Sequence, residues 1–378
     1  VFLYCPCEQE PEPRIALLPE NARKLADLGI DVGIQAGLGE GLGLSDTDYT
    51  EAGAVVMDRR EGLGKADCVF QVRARPESEV AGLKRGAFHV SFLDPFRRQD
   101  LVRAMAGAGV RAVSMEMMPR TTIAQKMDAL SSQASLGGYT AVILAADRLN
   151  RILPMMMTPA GTLSPSRVFV IGVGVAGLQA IATARRLGSR VDAFDTRPVV
   201  EEQVRSLGAK FVKIDLGETG ETEQGYAREL TPEQIKRQQD GMAKVCSQSD
   251  IVITTAQVFG RPAPRILSRE MISGMRPGAV VVDMATGTGG NVEGSVPDEE
   301  VVVNGVKIIG NTNLPGERAY HASQMYANNL YHWLAHFWDA EKKVFRDDPE
   351  DEILKGCVLS REGEIVHPRV KEAMEKES

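Results

Sequence analysis

Apolar and polar positions divide the chain into short β-rich runs separated by helical patterns. In the first part VFLYC, DVGIQA, AVVM, DCVFQV, AFHVSF and RAVSME alternate with amphipathic stretches such as PENARKLADLG and RRQDLVRAMAGAG. Strands alternating with helices predict a parallel sheet covered by helices on both faces. A long helical pattern follows from Ala129 to Leu153, with Gly137 and Gly138 inside it marking a bend or a close helix crossing. After PMMMTPAGTLSPS the alternation resumes with RVFVIG, RVDAFD, KFVKID, DIVITTA and AVVVDMA. It closes on VVV-NG-VKIIG, whose Asn304-Gly305 pair is a two-residue hairpin signal. A second long helix starts at Tyr320, and a charged run, DAEKKVFRDDPEDE, comes after it. The second block has closed by then, so this tail is expected to pack on the first.

The expected fold is α/β, with two Rossmann-like domains whose parallel sheets are flanked by helices, joined by long helices with a cleft between them. The expected bounds are 1–137 plus 320–378 for the first domain and 138–319 for the second. The 378 residues and a 43% hydrophobic share are enough to fill two cores. A net charge of −7 and 5% aromatic residues argue against nucleic acid as a partner. Five scattered cysteines (Cys5, Cys7, Cys68, Cys246 and Cys357) suggest free thiols in a reducing compartment, and no cluster completes a metal site around Cys5-Pro-Cys7. The longest apolar run, Tyr139 to Ala146, is far short of the ~20 residues of a membrane span. With no signal or transit sequence ahead of the first strand, a soluble intracellular chain is expected.

The strongest chemical signal is RVFVIGVGVAGLQAIATARRLG. It places Gly172, Gly174 and Gly177 between a β-rich run and an amphipathic helix. Glycines at this spacing give a tight turn, backbone approach to a pyrophosphate, and close helix–strand packing. The following helix start, with Val175 and Ala176, offers free N–H groups to phosphates. Asp195 ends the next strand, 23 residues after Gly172. A carboxylate there binds a ribose 2′-hydroxyl and repels a 2′-phosphate, favouring NAD(H) over NADP(H). Arg197 tempers that preference, because an Arg nearby accommodates the same phosphate. Further on, LGETGETEQGYAREL is a polar loop with Gly225 and Tyr226, equally readable as a lid or as plain surface.

The stretch MPRTTIAQKMDALSS admits two readings. Thr122 and Gln125 form the T-x-x-Q of a capping box, which is local architecture. Alternatively, Arg120, Gln125 and Asp128 form a site with no His, Cys or Lys positioned as a base. Dehydrogenases acting on alcohols or amines need such a base, whereas exchange between two nicotinamides moves no proton. The five histidines do not supply one: His321, His332 and His336 lie in the long C-terminal helix, His367 near the tail and His89 in a strand. Gln125 and Asp128, three apart, are expected to share a helix face, with Arg120 on the turn before.

These motifs, with RIALLPEN, VSFLDP, AFDTRPVVEEQVRSLGAKF, GRPAP and IIGNTNLPGERA, carry a resemblance over nearly the whole chain. It resembles the NAD(H)-binding component of proton-translocating nicotinamide nucleotide transhydrogenase, whose relatives include alanine dehydrogenase. The resemblance implies that Arg120, Gln125 and Asp128 bind nicotinamide and ribose-phosphate groups, with Ser131 supporting the ring. It also implies that Gln238 and Ala256 line the pocket and that Tyr226 lies on a closing loop. NAD(H) would sit on this chain and NADP(H) on a partner. The chain would be a homodimer docked to that NADP(H)-binding component and to a membrane-spanning proton channel. Its place would be the cytoplasm, peripheral to the inner face of the membrane through those partners, or an organelle matrix.

Two departures bear on the alanine dehydrogenase alternative. In those relatives a Lys stands where this chain has Gln71, and a His falls in the segment corresponding to SFLDPF, where this chain has Asp94. Cys7-Glu8 also replaces a usual Lys-Glu. A third reading, an NAD-sensing module without catalysis, would bind NADH yet support no hydride exchange.

Overall fold

The computed structural model describes residues 1–74, 76–217 and 230–376. The chain forms two compact units, residues 1–133 with 316–378, and residues 134–315.

In the first unit, β-branched and aromatic runs become six parallel strands: β1 (Phe2–Cys5), β2 (Asp31–Gln35), β3 (Ala54–Met57), β4 (Cys68–Arg73), β5 (Phe88–Phe92) and β6 (Arg111–Ser114). Their order is β3-β2-β1-β4-β5-β6, every neighbouring pair parallel. This is the doubly wound arrangement, in which the chain steps outward from β1 in both directions. Helices α1 (Pro19–Asp27), α2 (Asp46–Glu51), α3 (Arg59–Lys65) and α4 (Gln99–Gly107) make the crossovers. The central strands are apolar at nearly every position, because helices cover both faces. At the open edge, β3 leaves Val55 and Val56 exposed.

Helix α5 (Ala129–Arg148) contains the boundary between the units and ends five residues before the expected Leu153. Lys307 Nζ donates to its last carbonyl, that of Arg148, at 3.0 Å. The glycine pair marks a close crossing: a Cβ on Gly138 would lie 2.1 Å from the Ala176 carbonyl oxygen. The stretch PMMMTPAGTLSPS, expected only to connect, forms an exposed hairpin of β7 (Met156–Thr158) and β8 (Gly161–Leu163).

The second unit repeats the architecture. Strand β9 (Arg167–Ile171) leads to α6 (Val175–Arg186), β10 (Arg190–Phe194), α7 (Glu201–Ser206), β11 (Lys210–Phe211) and α8 (Pro232–Cys246). Then come β12 (Ile251–Thr254), α9 (Arg269–Ser273), β13 (Val280–Asp283), β14 (Glu299–Val303) and β15 (Val306–Gly310). The order is β11-β10-β9-β12-β13-β15-β14, parallel except for the β14–β15 hairpin at the Asn304-Gly305 turn. The run KFVKID, expected as a full strand, pairs only at Lys210 and Phe211.

Residues 316–378 belong to the first unit. Helix α10 (Ala319–Phe337) buries Trp333 against Phe88 and Phe345, with ring centroids 6.0 and 5.2 Å apart. Its Tyr326 hydroxyl donates to the Gln71 carbonyl at 2.8 Å. Truncating an aromatic this deep typically costs ~3–5 kcal/mol. No helix among the described residues is long and apolar enough to cross a membrane.

Candidate functional site

In the second unit, the strand order reverses between β9 and β12, the place where doubly wound sheets bind ligands at their carboxyl ends. Gly172 follows β9 at φ +93°, a conformation that excludes most side chains. A Cβ there would meet Thr255 Oγ1 at 2.6 Å, and one on Gly177 would lie 1.9 Å from the Gly172 carbonyl oxygen. Around Gly174 a Cβ would meet nothing within 4 Å, so open space lies over the turn. No side chain caps α6 at its Gly174 start. The first N–H groups of the helix, at Val175, Ala176 and Gly177, therefore face that space as a ready anion site.

Asp195 follows β10 and is 9% exposed. Its Oδ2 accepts from the Val173 N–H at 2.7 Å, fastening the strand end to the glycine turn. Arg197 grips the same carboxylate with a two-pronged fork, Nε to Oδ1 and Nη2 to Oδ2, both at 2.9 Å. Arg197 Nη2 also donates to the Val173 carbonyl at 3.2 Å. Gly172, Gly174, Val175, Ala176, Gly177, Asp195 and Arg197 thus belong to one constellation. Thr255, which the sequence reading missed, completes it: its hydroxyl donates to the Gly172 carbonyl at 2.9 Å. The repeated Thr at the end of DIVITTA was the available signal. Ala256 follows at the same edge, and Gln238 is a buried position on α8. Gly225 and Tyr226 lie outside the described residues.

In the first unit, the stretch after β6 is a surface loop with a short 3-10 turn over Ala124–Met127. Buried Ala124 and Met127 anchor it, while Arg120, Thr122, Ile123 and Gln125 are exposed. The Thr122–Gln125 capping box does not form: the hydroxyl that accepts from the turn's first N–H, that of Ala124, belongs to Thr121, at 3.3 Å. Asp128 takes the capping role instead, for α5: it accepts from the Ser131 N–H at 2.9 Å and from the Ser131 hydroxyl at 2.6 Å. Nor do Gln125 and Asp128 share a helix face, because Asp128 ends the turn at ψ 87°, outside helical geometry. Helix α10 holds the loop in place: Asn329 Nδ2 donates to the Lys126 carbonyl at 2.9 Å, and Asn329 Oδ1 accepts from the Ser132 hydroxyl at 2.7 Å. The Gln125 side chain makes no hydrogen bond to the described residues.

Gln71 is buried on β4, its Oε1 3.1 Å from Nε2 of His89 on β5. Burial pushes the His89 ring from its ordinary 6.5 down to about 4, so it is neutral near pH 7. Asp94 sits at φ +46°, its N–H donating to Glu116 at 2.8 Å. Burial raises the Glu116 carboxyl, which also accepts from the Leu93 N–H and the Ser114 hydroxyl.

The His89 shift predicts an acid limb in stability. The unfolded chain takes up a proton below its ordinary 6.5, while the folded ring resists protonation down to about 4. The contribution is therefore complete above pH 6.5 and is lost as the pH falls toward 4, by up to ~3 kcal/mol. Melting temperature measured across that range should fall on acidification, and His89→Gln should flatten the slope. An identical slope in the variant would remove His89 as its source.

Two family models match the chain: alanine dehydrogenase/PNT, N-terminal domain, over residues 4–137, and the C-terminal domain of the same name over residues 141–368. The first portion of an NAD(P) transhydrogenase subunit alpha from Rhodospirillum rubrum is 44% identical over 373 residues, covering 96% of this chain and 97% of that one. The crystal structure of a transhydrogenase from Sinorhizobium meliloti matches with a TM-score of 0.87 and 43% identity, over 97% of this chain and all of that one. An alanine dehydrogenase from Halomonas elongata is more distant, at 28% identity over 96% of this chain and 93% of its own length.

Proposed function

The chain belongs to the alanine dehydrogenase/PNT family, on its NAD(P) transhydrogenase alpha-subunit branch, and from that premise we propose that it is the NAD(H)-binding component of a proton-translocating transhydrogenase. It binds NAD(H) in the domain of residues 138–319 and exchanges hydride with NADP(H) held on a partner component. A membrane-spanning partner couples that exchange to proton translocation and holds this chain at the membrane face.

NAD(H), when bound, would supply the hydride chemistry. The chain's own residues hold and orient. The α6 N-terminus receives the pyrophosphate, and Asp195 receives the adenosine ribose hydroxyls. Arg120 and Gln125 fix nicotinamide and ribose-phosphate groups, while Asp128 holds the Ser131 hydroxyl in one orientation for ring support. Ordering of this kind supplies much of the barrier reduction when no proton has to move.

The observation that carries this reading is Gln71. Where the amino-acid dehydrogenases of the family place a titrating Lys, an amide is buried beside a neutral imidazole. Neither group transfers a proton readily near pH 7. Mixing the chain with a transhydrogenase NADP(H)-binding component should give hydride exchange that needs both proteins. NADH oxidation driven by ammonia and pyruvate should be absent, and robust alanine formation would overturn the reading.

We also propose that the chain is a homodimer meeting through the β7–β8 hairpin. Met155, Met156, Met157 and Leu163 are exposed there on a two-stranded sheet with open edges. Such edges are stable when covered by another chain. Sedimentation of the same preparation as a monomer would exclude this.

A further inference from the structure

The second half of the nucleotide-binding sheet contains a buried amide with no part in the chemistry above. Asn291, fully buried, lies in the loop after β13. Its Nδ2 donates to two carbonyls, Ala256 at 2.8 Å and Pro264 at 2.9 Å. These carbonyls bracket a segment with no helix or strand, which leaves β12 at the ligand-binding edge of the sheet. Asn291 is itself anchored through its backbone. Its N–H donates to Asp283 Oδ1 at 3.2 Å, and its carbonyl accepts from Ile266 and Leu267 at 2.8 and 3.0 Å. Asp283, buried at the end of β13, also accepts from the N–H groups of Ala285 and Val292. One hydrogen-bond chain thus runs from the carboxyl end of β13, through Asn291, to the exit of β12.

The placement gives the chain a meaning. A doubly wound dinucleotide fold consists of two mononucleotide-binding halves. Strands β9 to β11 form the half that carries Asp195, and β12 opens the other. The Ala256 segment therefore lies on the half that takes the nicotinamide nucleotide. We propose that Asn291 is a positioning residue for that half of the site, its two donations fixing the Ala256–Pro264 segment against the crevice. This rests on the NAD(H) reading of the unit. Asn291 Oδ1 is buried without a hydrogen-bond partner among the described residues. An orphaned acceptor is costly, so fold stability alone is a poor reason for an amide here, and its value lies in what its donors hold. Alanine leaves both carbonyls without a donor, and serine retains one donor on a shorter side chain.

The test uses the full chain, titrated calorimetrically with NADH and, separately, with 5′-AMP, which occupies only the half carrying Asp195. Asn291→Ala should raise the NADH dissociation constant tenfold or more while changing that of AMP by less than twofold, with Asn291→Ser between. Should the alanine variant fail to fold, the same ratio in the serine variant decides. Equal weakening of both ligands would make Asn291 a general structural residue, and unchanged NADH affinity would remove its role. Either result overturns the proposal. Wild-type protein that bound neither ligand would overturn the dinucleotide reading, and this inference with it.

Discussion

Gln125→Asn is expected to slow single-turnover hydride exchange in the reconstituted complex by about two orders of magnitude or more, with little change in NADH affinity or melting temperature. The side chain is exposed and makes no hydrogen bond to the described residues, so the folded chain loses nothing when the amide moves. Shortening it by one methylene retracts the amide by roughly 1.5 Å. Misplacement by about 1 Å from a near-attack geometry costs about a hundredfold in rate. A capping role would give the opposite result, a loss of ~1–2 kcal/mol in stability at normal rate. The cap here is Asp128, bonded to Ser131, which leaves Gln125 with no architectural duty. A rate within a few-fold of wild type, or a melting temperature lowered by several degrees, would return this loop to ordinary architecture.

What was legible in the sequence follows from where the deciding interactions lie along the chain. Strands such as IVIT and VVVD are buried on both faces, so their apolar runs stand out without any partner being known. The glycine turn and Asp195 were equally readable, because a positive φ and a fixed strand-end spacing are local demands. The loop at 118–131 was harder. T-x-x-Q and D-x-x-S are both local capping patterns, and only the second is used. What favours the second includes a contact about two hundred residues away, where Asn329 binds the Lys126 carbonyl. Thr255 and Asn291 were missed for a similar reason: each acts on a carbonyl far off in sequence, Gly172 and Ala256 respectively. The hairpin at Met156–Leu163 is not legible in the sequence, because its strands are only three residues long and Pro159 and Gly161 lie at and beside its turn.

Asp195→Ala is the substitution expected to change nucleotide choice most. In the wild type the carboxylate does three things at once. It accepts the Val173 N–H of the glycine turn, holds Arg197 in a two-pronged fork, and, in the proposed NAD(H) site, would present negative charge to the adenosine ribose. A 2′-phosphate about 5 Å away would meet a repulsion of ~3 kcal/mol per charge at an effective dielectric constant near 20, a factor of about a hundred. The Arg197 charge, 2.9 Å from the carboxylate, offsets part of this repulsion, but the fork geometry that would bind a phosphate is committed to Asp195, so Arg197 gives the phosphate no fork of its own. Wild-type protein should therefore bind NADH well and NADPH poorly. Removing the carboxylate should weaken NADH about tenfold through the lost ribose and turn contacts, while the released Arg197 strengthens NADPH, so the gap narrows by roughly a hundredfold. Two further variants separate the causes. Asp195→Asn keeps an acceptor for Val173 but removes the charge, so it should narrow the gap with less loss of NADH affinity. Asp195→Ala combined with Arg197→Ala should lose the NADPH gain. Equal affinities in the wild type would remove Asp195 as the determinant, and a double variant that still gained NADPH affinity would place the phosphate contact on some residue other than Arg197.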